Sequence, residues 1–164
     1  SEPDKLPSGQ KLNHSMSKQP WLELTRVVRF GDTDAAGVMH FHQLLRWCHE
    51  SWEESLQIYG VKTADVFPGS RQGTPDVALP IVHCHADFRA PLFAGDSLQI
   101  NLTPKRIDPA SFELTTQFHC LDQMAAKGYL RHIAIDATTR QRCALPADID
   151  RWLEASCIGQ IQPL

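Results

Sequence analysis

The stretch from Phe30 to Tyr59 constrains the fold more than any other. It opens Phe30-Gly31-Asp32-Thr33-Asp34-Ala35-Ala36-Gly37-Val38-Met39 and continues His40-Phe41-His42-Gln43-Leu44-Leu45-Arg46-Trp47-Cys48-His49-Glu50. A strand ends in an acidic turn, and a long amphipathic helix leaves that turn. Counted at the helical period from Phe41, Leu44, Leu45, Cys48, Trp52, Ser55, Leu56 and Tyr59 fall in one stripe, while Arg46, Glu50, Glu53 and Gln57 fall opposite. Such a helix must bury one face. Its first N–H groups lack intrahelical acceptors and favour negative charge. A carboxylate beside them suits a nucleophile or base facing an oxyanion hole. The plainer alternative is that Asp32 and Asp34 serve the turn, which Asp favours.

The remaining chain reads as strands around that helix. Leu22 to Phe30 is rich in β-formers, with Leu22, Leu24, Val28 and Phe30 expected on one face. The helix runs from His40 to Tyr59, and Gly60 is placed to end it. Val61 to Val77 carries Pro68, Gly69, Gly73 and Pro75 and reads as a long loop. Strands are expected over Ala78–Arg89, Asp96–Arg106, Ser111–Leu121 and Ala126–Thr138. Their hairpin spacing predicts an antiparallel meander, followed by a short helix from Pro146 to Ser156. The fold class is therefore α+β: a five-stranded antiparallel sheet wrapped around one long helix. Residues 1–20, polar and broken by Pro7, Gly9 and Pro20, read as a flexible N-terminal arm, and 21–164 as a single domain without internal repeats.

Composition excludes several classes. The net charge of −3 gives no general pull toward nucleic acid or anionic membrane. No apolar run approaches a membrane span, and residues 1–20 do not read as the apolar core of a signal peptide. Five widely spaced cysteines, without a Cys-x-x-Cys pair, fit a reducing cytoplasm better than a disulfide framework.

The turn Asp32-Thr33-Asp34-Ala35-Ala36-Gly37-Val38 resembles the signature of the hotdog-fold acyl-CoA thioesterases of the 4-hydroxybenzoyl-CoA thioesterase type. The helix text from His40 to Glu50 and the later Ala78-Leu79-Pro80-Ile81-Val82-His83 are similar to the 1,4-dihydroxy-2-naphthoyl-CoA thioesterases of cyanobacteria and plants. The resemblance covers Trp21 to Leu145. It implies a hotdog fold and hydrolysis of an acyl-CoA thioester, with 1,4-dihydroxy-2-naphthoyl-CoA on the route to phylloquinone as the favoured substrate. It also implies a cytoplasmic homo-oligomer, dimer or tetramer, with the site between subunits. No metal and no cofactor beyond the CoA of the substrate are expected. Two alternatives stay open: another aryl or fatty acyl thioester, on CoA or acyl carrier protein, and a hotdog module that binds acyl-CoA without turnover. Such a module has no need of Asp34.

By the same resemblance Asp34 is the catalytic carboxylate, Gly37 shapes the turn, and the backbone N–H at Phe41 is the oxyanion donor. The Phe41 side chain is independently expected as the first core residue of the stripe. His49 matches the position where the 4-hydroxybenzoyl relatives carry an acidic residue that binds the ring hydroxyl. This chain departs from them there, and an imidazole can still bond a phenolic oxygen. A structural histidine is the competing reading. His83, His85 and Asp87 alternate on one strand face, which invites a zinc reading that the resemblance does not support. One of these histidines is expected to line the acyl pocket, the alternative being that both are ordinary polar-face residues, with Val82, Cys84, Ala86 and Phe88 supplying core on the other face. The phosphates of CoA call for cations, and Lys105, Arg106, Arg131, Arg140 and Arg142 are the candidates.

Overall fold

The computed structural model describes residues 21–69, 71 and 73–158. The expected N-terminal arm lies outside the described residues. Strand β1 (Glu23–Val27) leads through a 3-10 turn (Phe30–Asp32) to helix α1 (Phe41–Tyr59). A short helix α2 (Thr63–Val66) and strand β2 (Val77–Ala78) precede β3 (Ile81–Phe88), β4 (Ser97–Asp108), β5 (Ser111–Cys120) and β6 (Gln123–Ile133). Strand β7 (Ile135–Asp136) and helix α3 (Ala147–Ile158) follow. The main sheet is antiparallel with strand order β1-β4-β5-β6-β3, and β2 pairs with β7 apart from it.

Helix α1 is bounded as its residues dictate. The His40 imidazole accepts from the His42 N–H at 3.2 Å, and Gly60 closes the other end at φ 111°, a left-handed conformation that costs glycine little. The Gly60 N–H bonds the Leu56 and Gln57 carbonyls. The buried stripe holds Leu44, Cys48, Trp52, Ser55, Leu56 and Tyr59 as expected, and is wider, taking in Gln43, Trp47 and Ser51. Against it stand Leu98, Ile100 and Leu102 from β4, Phe112, Leu114 and Phe118 from β5, and Ala126 and Leu130 from β6. Burying each large apolar side chain is worth about 1.5–3 kcal/mol, so this layer drives the fold.

The structure corrects four expectations. The meander holds for β4, β5 and β6, but β3 does not pair with β4. It crosses the sheet and adds beyond β6, because the connection from Arg89 to Asp96 passes over the start of α1, where the Met39 N–H bonds the Leu92 carbonyl at 2.7 Å. Strand β3 is therefore an edge, and Val82 (51% exposed), Cys84 and Phe88 (43%) are not core. Strand one stops at Val27, since Asp32 turns the chain by accepting the Arg29 N–H, and Phe30 points to solvent. The Phe41 side chain is 63% exposed rather than first in the core, and Leu44 is the first apolar residue of the helix to be buried. Among the described residues, no helix is long and apolar enough to cross a membrane.

Helix and sheet approach closely where Cys48 faces Gly128. A methyl group at Gly128 would lie 2.2 Å from the Cys48 Sγ and 3.8 Å from its Cβ. Only the sulfur is in the way. We expect Gly128→Ala to destabilise the fold by about 2 kcal/mol or more in urea unfolding, and the same substitution in a Cys48→Ala background to cost much less. Equal costs in both backgrounds would disprove this steric account.

Candidate active site

The acidic turn is built from its own backbone. The Asp34 N–H bonds the Val38 carbonyl at 2.9 Å, and the Gly37 N–H bonds the Asp34 carbonyl at 3.0 Å. Gly37 sits at φ 80°, where a side chain would be strained. The Ala36 N–H donates to Asp34 Oδ1 at 2.8 Å, which orients the exposed carboxylate and leaves Oδ2 without a partner among the described residues. Asp32 plays another part. Its carboxylate holds the 3-10 turn, and its carbonyl accepts the His40 N–H at 2.8 Å.

At the start of α1 the donors are nearly all used. The His42 N–H goes to the His40 ring, while those of Gln43 and Leu44 go to the His40 carbonyl. Among the described residues nothing accepts from the Phe41 N–H. It is the one free donor of the first helical turn, at the positive end of the helix dipole. Asp34 and Phe41 line one cleft of about 390 Å³, with Val38, Met39, Phe88, Arg89, Pro91 and Leu92 among its walls. A carboxylate and an unpaired N–H on one apolar cleft can attack, or deliver water to, a carbonyl carbon while holding its oxygen.

His49 lines a second cleft of about 230 Å³, with Phe67, Leu79, Pro80, Ile135 and Arg140. Its Nδ1 lies 2.5 Å from Glu53 Oε1. Behind it the fully buried His132 packs parallel to Phe112 and bonds the Leu79 carbonyl through Nδ1 at 2.8 Å. Burial pulls the pKa of His132 down to about 4. The clefts sit at opposite ends of β3, the first at Phe88 and the second next to Ile81, so one protomer does not bring Asp34 and His49 to one cleft.

A family model described as the thioesterase-like superfamily matches residues 28–153. The chain belongs to the thioesterase-like superfamily. It is 62% identical over 149 residues to the 1,4-dihydroxy-2-naphthoyl-CoA hydrolase of Synechococcus sp. strain CC9605, across 91% of this chain and 100% of the relative. It is 63% identical over 148 residues to the protein of that name from Prochlorococcus marinus strain MIT 9313, across 89% of this chain and 98% of the relative. The crystal structure of a 1,4-dihydroxy-2-naphthoyl-CoA thioesterase from Synechocystis superposes with a TM-score of 0.73 at 30% identity, covering 80% of this chain and 94% of that one. The fold is the hotdog fold of thioesterases.

In this superfamily member the other candidates are dispersed. His83 and His85 lie on the sheet face turned away from α1, where His85 stacks on Tyr129 at 4.8 Å. Lys105 and Arg131 share that face, and Arg131 pairs with Glu113 at 2.5 Å. Arg106 pairs with Asp150 at 2.5 Å and Arg142 with Asp108 at 2.9 Å. Of the five cations only Arg140 lines one of these two clefts. Sequence reasoning missed Arg89, a cation on the Asp34 cleft, because strand alternation says nothing about where a strand ends. It also passed over Glu53 as a partner of His49, although their i, i+4 spacing was in plain view.

The His132 shift has a consequence for stability. An unfolded histidine titrates near 6.5, so between that pH and about 4 the unfolded chain holds a proton that the native chain lacks. The contribution is complete above pH 6.5 and is lost as the pH falls toward 4, by roughly 3 kcal/mol in all. We expect urea unfolding to show stability rising from pH 5 to pH 7, and His132→Phe to flatten that rise. An unchanged slope in the variant would assign it to other groups.

Proposed function

We propose that this chain is a 1,4-dihydroxy-2-naphthoyl-CoA hydrolase, releasing the free acid and CoA. The observation that carries the reading is the pairing of the Asp34 carboxylate with the free Phe41 N–H on one cleft. Relatives matched along nearly their whole length support the substrate, and the acid formed suits a place on the route to phylloquinone. In the reaction the thioester oxygen accepts from the Phe41 N–H as the carbonyl carbon becomes tetrahedral. Asp34 either attacks that carbon, expelling the CoA thiolate and leaving an anhydride for water to open, or takes the proton of a water that attacks directly. Both routes need an ionised carboxylate with one free oxygen. The reaction needs no cofactor beyond the CoA of its substrate.

The acyl ring extends from Asp34 past Phe88, at the end of β3, toward the apolar, aromatic-walled cleft of His49 in a second copy. Two copies complete this path. Ile81, Val82 and Phe88 are exposed on the β3 edge, which carries no lysine to blunt it. Pairing two such edges antiparallel about a two-fold axis extends the sheet and covers these side chains. It also sets the Phe88 end of one protomer against the Ile81 end of its partner. The Asp34 cleft of one copy then adjoins the His49 cleft of the other.

Thiol release from the dihydroxynaphthoyl thioester tests the reading. Asp34→Asn should lower kcat by at least a hundredfold with the fold retained, whereas Asp32→Asn should cost less than tenfold. Near wild-type turnover by Asp34→Asn would remove the assignment. Light scattering should return at least a dimer mass, and Val82→Lys should yield monomers with little activity. A fully active monomer would rule out the shared site.

A further inference from the structure

We infer that Glu53 is a positioning residue that makes His49 an acceptor for an aryl hydroxyl, so that the site selects the hydroxylated form of the acyl ring. The inference rests on the reading above and deepens it.

His49 Nδ1 and Glu53 Oε1 lie 2.5 Å apart. An ionised carboxylate only accepts, so the neutral imidazole must keep its proton on Nδ1. The other nitrogen, Nε2, then carries a lone pair, and no described residue bonds it. The ring cannot swing freely to hide it. Trp52 meets it edge-on at 5.5 Å, while Phe67 at 6.1 Å and His132 at 5.9 Å lie tilted against it. Glu53 is itself only partly exposed, one helical turn along α1.

The surroundings supply few rival donors or acceptors. Val66, Phe67, Leu79, Pro80 and Ile135 give the cleft apolar walls, and Arg140 brings the one cation. His132, held on the Leu79 carbonyl and pulled toward its neutral form by burial, adds no positive charge behind His49 near neutral pH. A flat aromatic ring with a hydroxyl at its far side fits this chemistry. The hydroxyl donates to Nε2 while the ring covers the walls. A ring lacking that hydroxyl leaves Nε2 desolvated and unpaired, which a buried polar group tolerates poorly. A quinone ring presents only a carbonyl lone pair there, which repels the lone pair of Nε2. The site therefore reads the reduced, dihydroxy ring.

The test compares kcat/KM for 1,4-dihydroxy-2-naphthoyl-CoA and 1-hydroxy-2-naphthoyl-CoA in the wild type, Glu53→Gln and Glu53→Ala. The wild type should prefer the dihydroxy substrate by about tenfold or more. In both variants the preference should fall below about threefold, mainly through a higher KM for the dihydroxy substrate, because an amide or a methyl group no longer dictates the imidazole tautomer. Two variants guard against one that folds poorly, and circular dichroism checks each. An equal loss on both substrates would make Glu53 a support of the helix and overturn the inference. So would a wild type that turns over both rings equally well, which would leave the hydrolase reading intact. A wild type that hydrolyses neither ring but does hydrolyse another acyl-CoA would overturn the substrate reading and this inference with it.

Discussion

Two backbone hydrogen bonds at the start of α1 organise the molecule. The His40 N–H bonds the Asp32 carbonyl at 2.8 Å and the Met39 N–H bonds the Leu92 carbonyl at 2.7 Å. One ties the acidic turn to the helix, and the other ties the β3–β4 connection to the same point. Leu92 and Met39 are buried there, so the second of these bonds forms away from competing water. The crossing places β3 at the sheet edge and sets its Phe88 end beside Asp34. Fold and cleft thus share one junction.

That junction also divides the labour between the two aspartates. Asp32 and Asp34 sit two residues apart, yet each carboxylate answers a different need. Asp32 closes a 3-10 turn by accepting the Arg29 N–H. Asp34 spends one oxygen on the Ala36 N–H and keeps the other available. The histidine pair that follows completes the arrangement. His40 takes up the donors of His42, Gln43 and Leu44, so the Phe41 N–H alone remains unpaired in that turn. A helix start usually offers several such groups. Here it offers one, which concentrates the dipole on a single point of the cleft.

The two clefts repeat one design with different chemistry. Each combines apolar walls with a polar group whose orientation is set by a hydrogen bond. For Asp34 the orienting group is a backbone N–H; for His49 it is the Glu53 carboxylate. Both polar groups have one side left for a ligand. The exposed apolar edge between them, with Val82 and Phe88, is the surface a second copy would cover in the proposed assembly.

Features set by nearest neighbours along the chain were legible in the sequence. The α1 period, its Gly60 stop, the turn around Gly37 and the pairing of β4, β5 and β6 each follow from residues within a few positions of one another, where chain connectivity alone brings the groups together. The resemblance of the turn suggested the roles proposed here for Asp34 and Phe41. What the tertiary structure decided depends on which element lies beside which. Strand β3 alternates like a half-buried strand whether it pairs at the centre or at the edge, so its text could not reveal that Val82 and Phe88 face solvent. Nor could it reveal that Arg89 reaches the Asp34 cleft, or that His83 and His85 sit on the far face from α1. Periodicity reports the face of an element. Its neighbours are chosen by the long-range packing of apolar side chains, for which no local pattern exists.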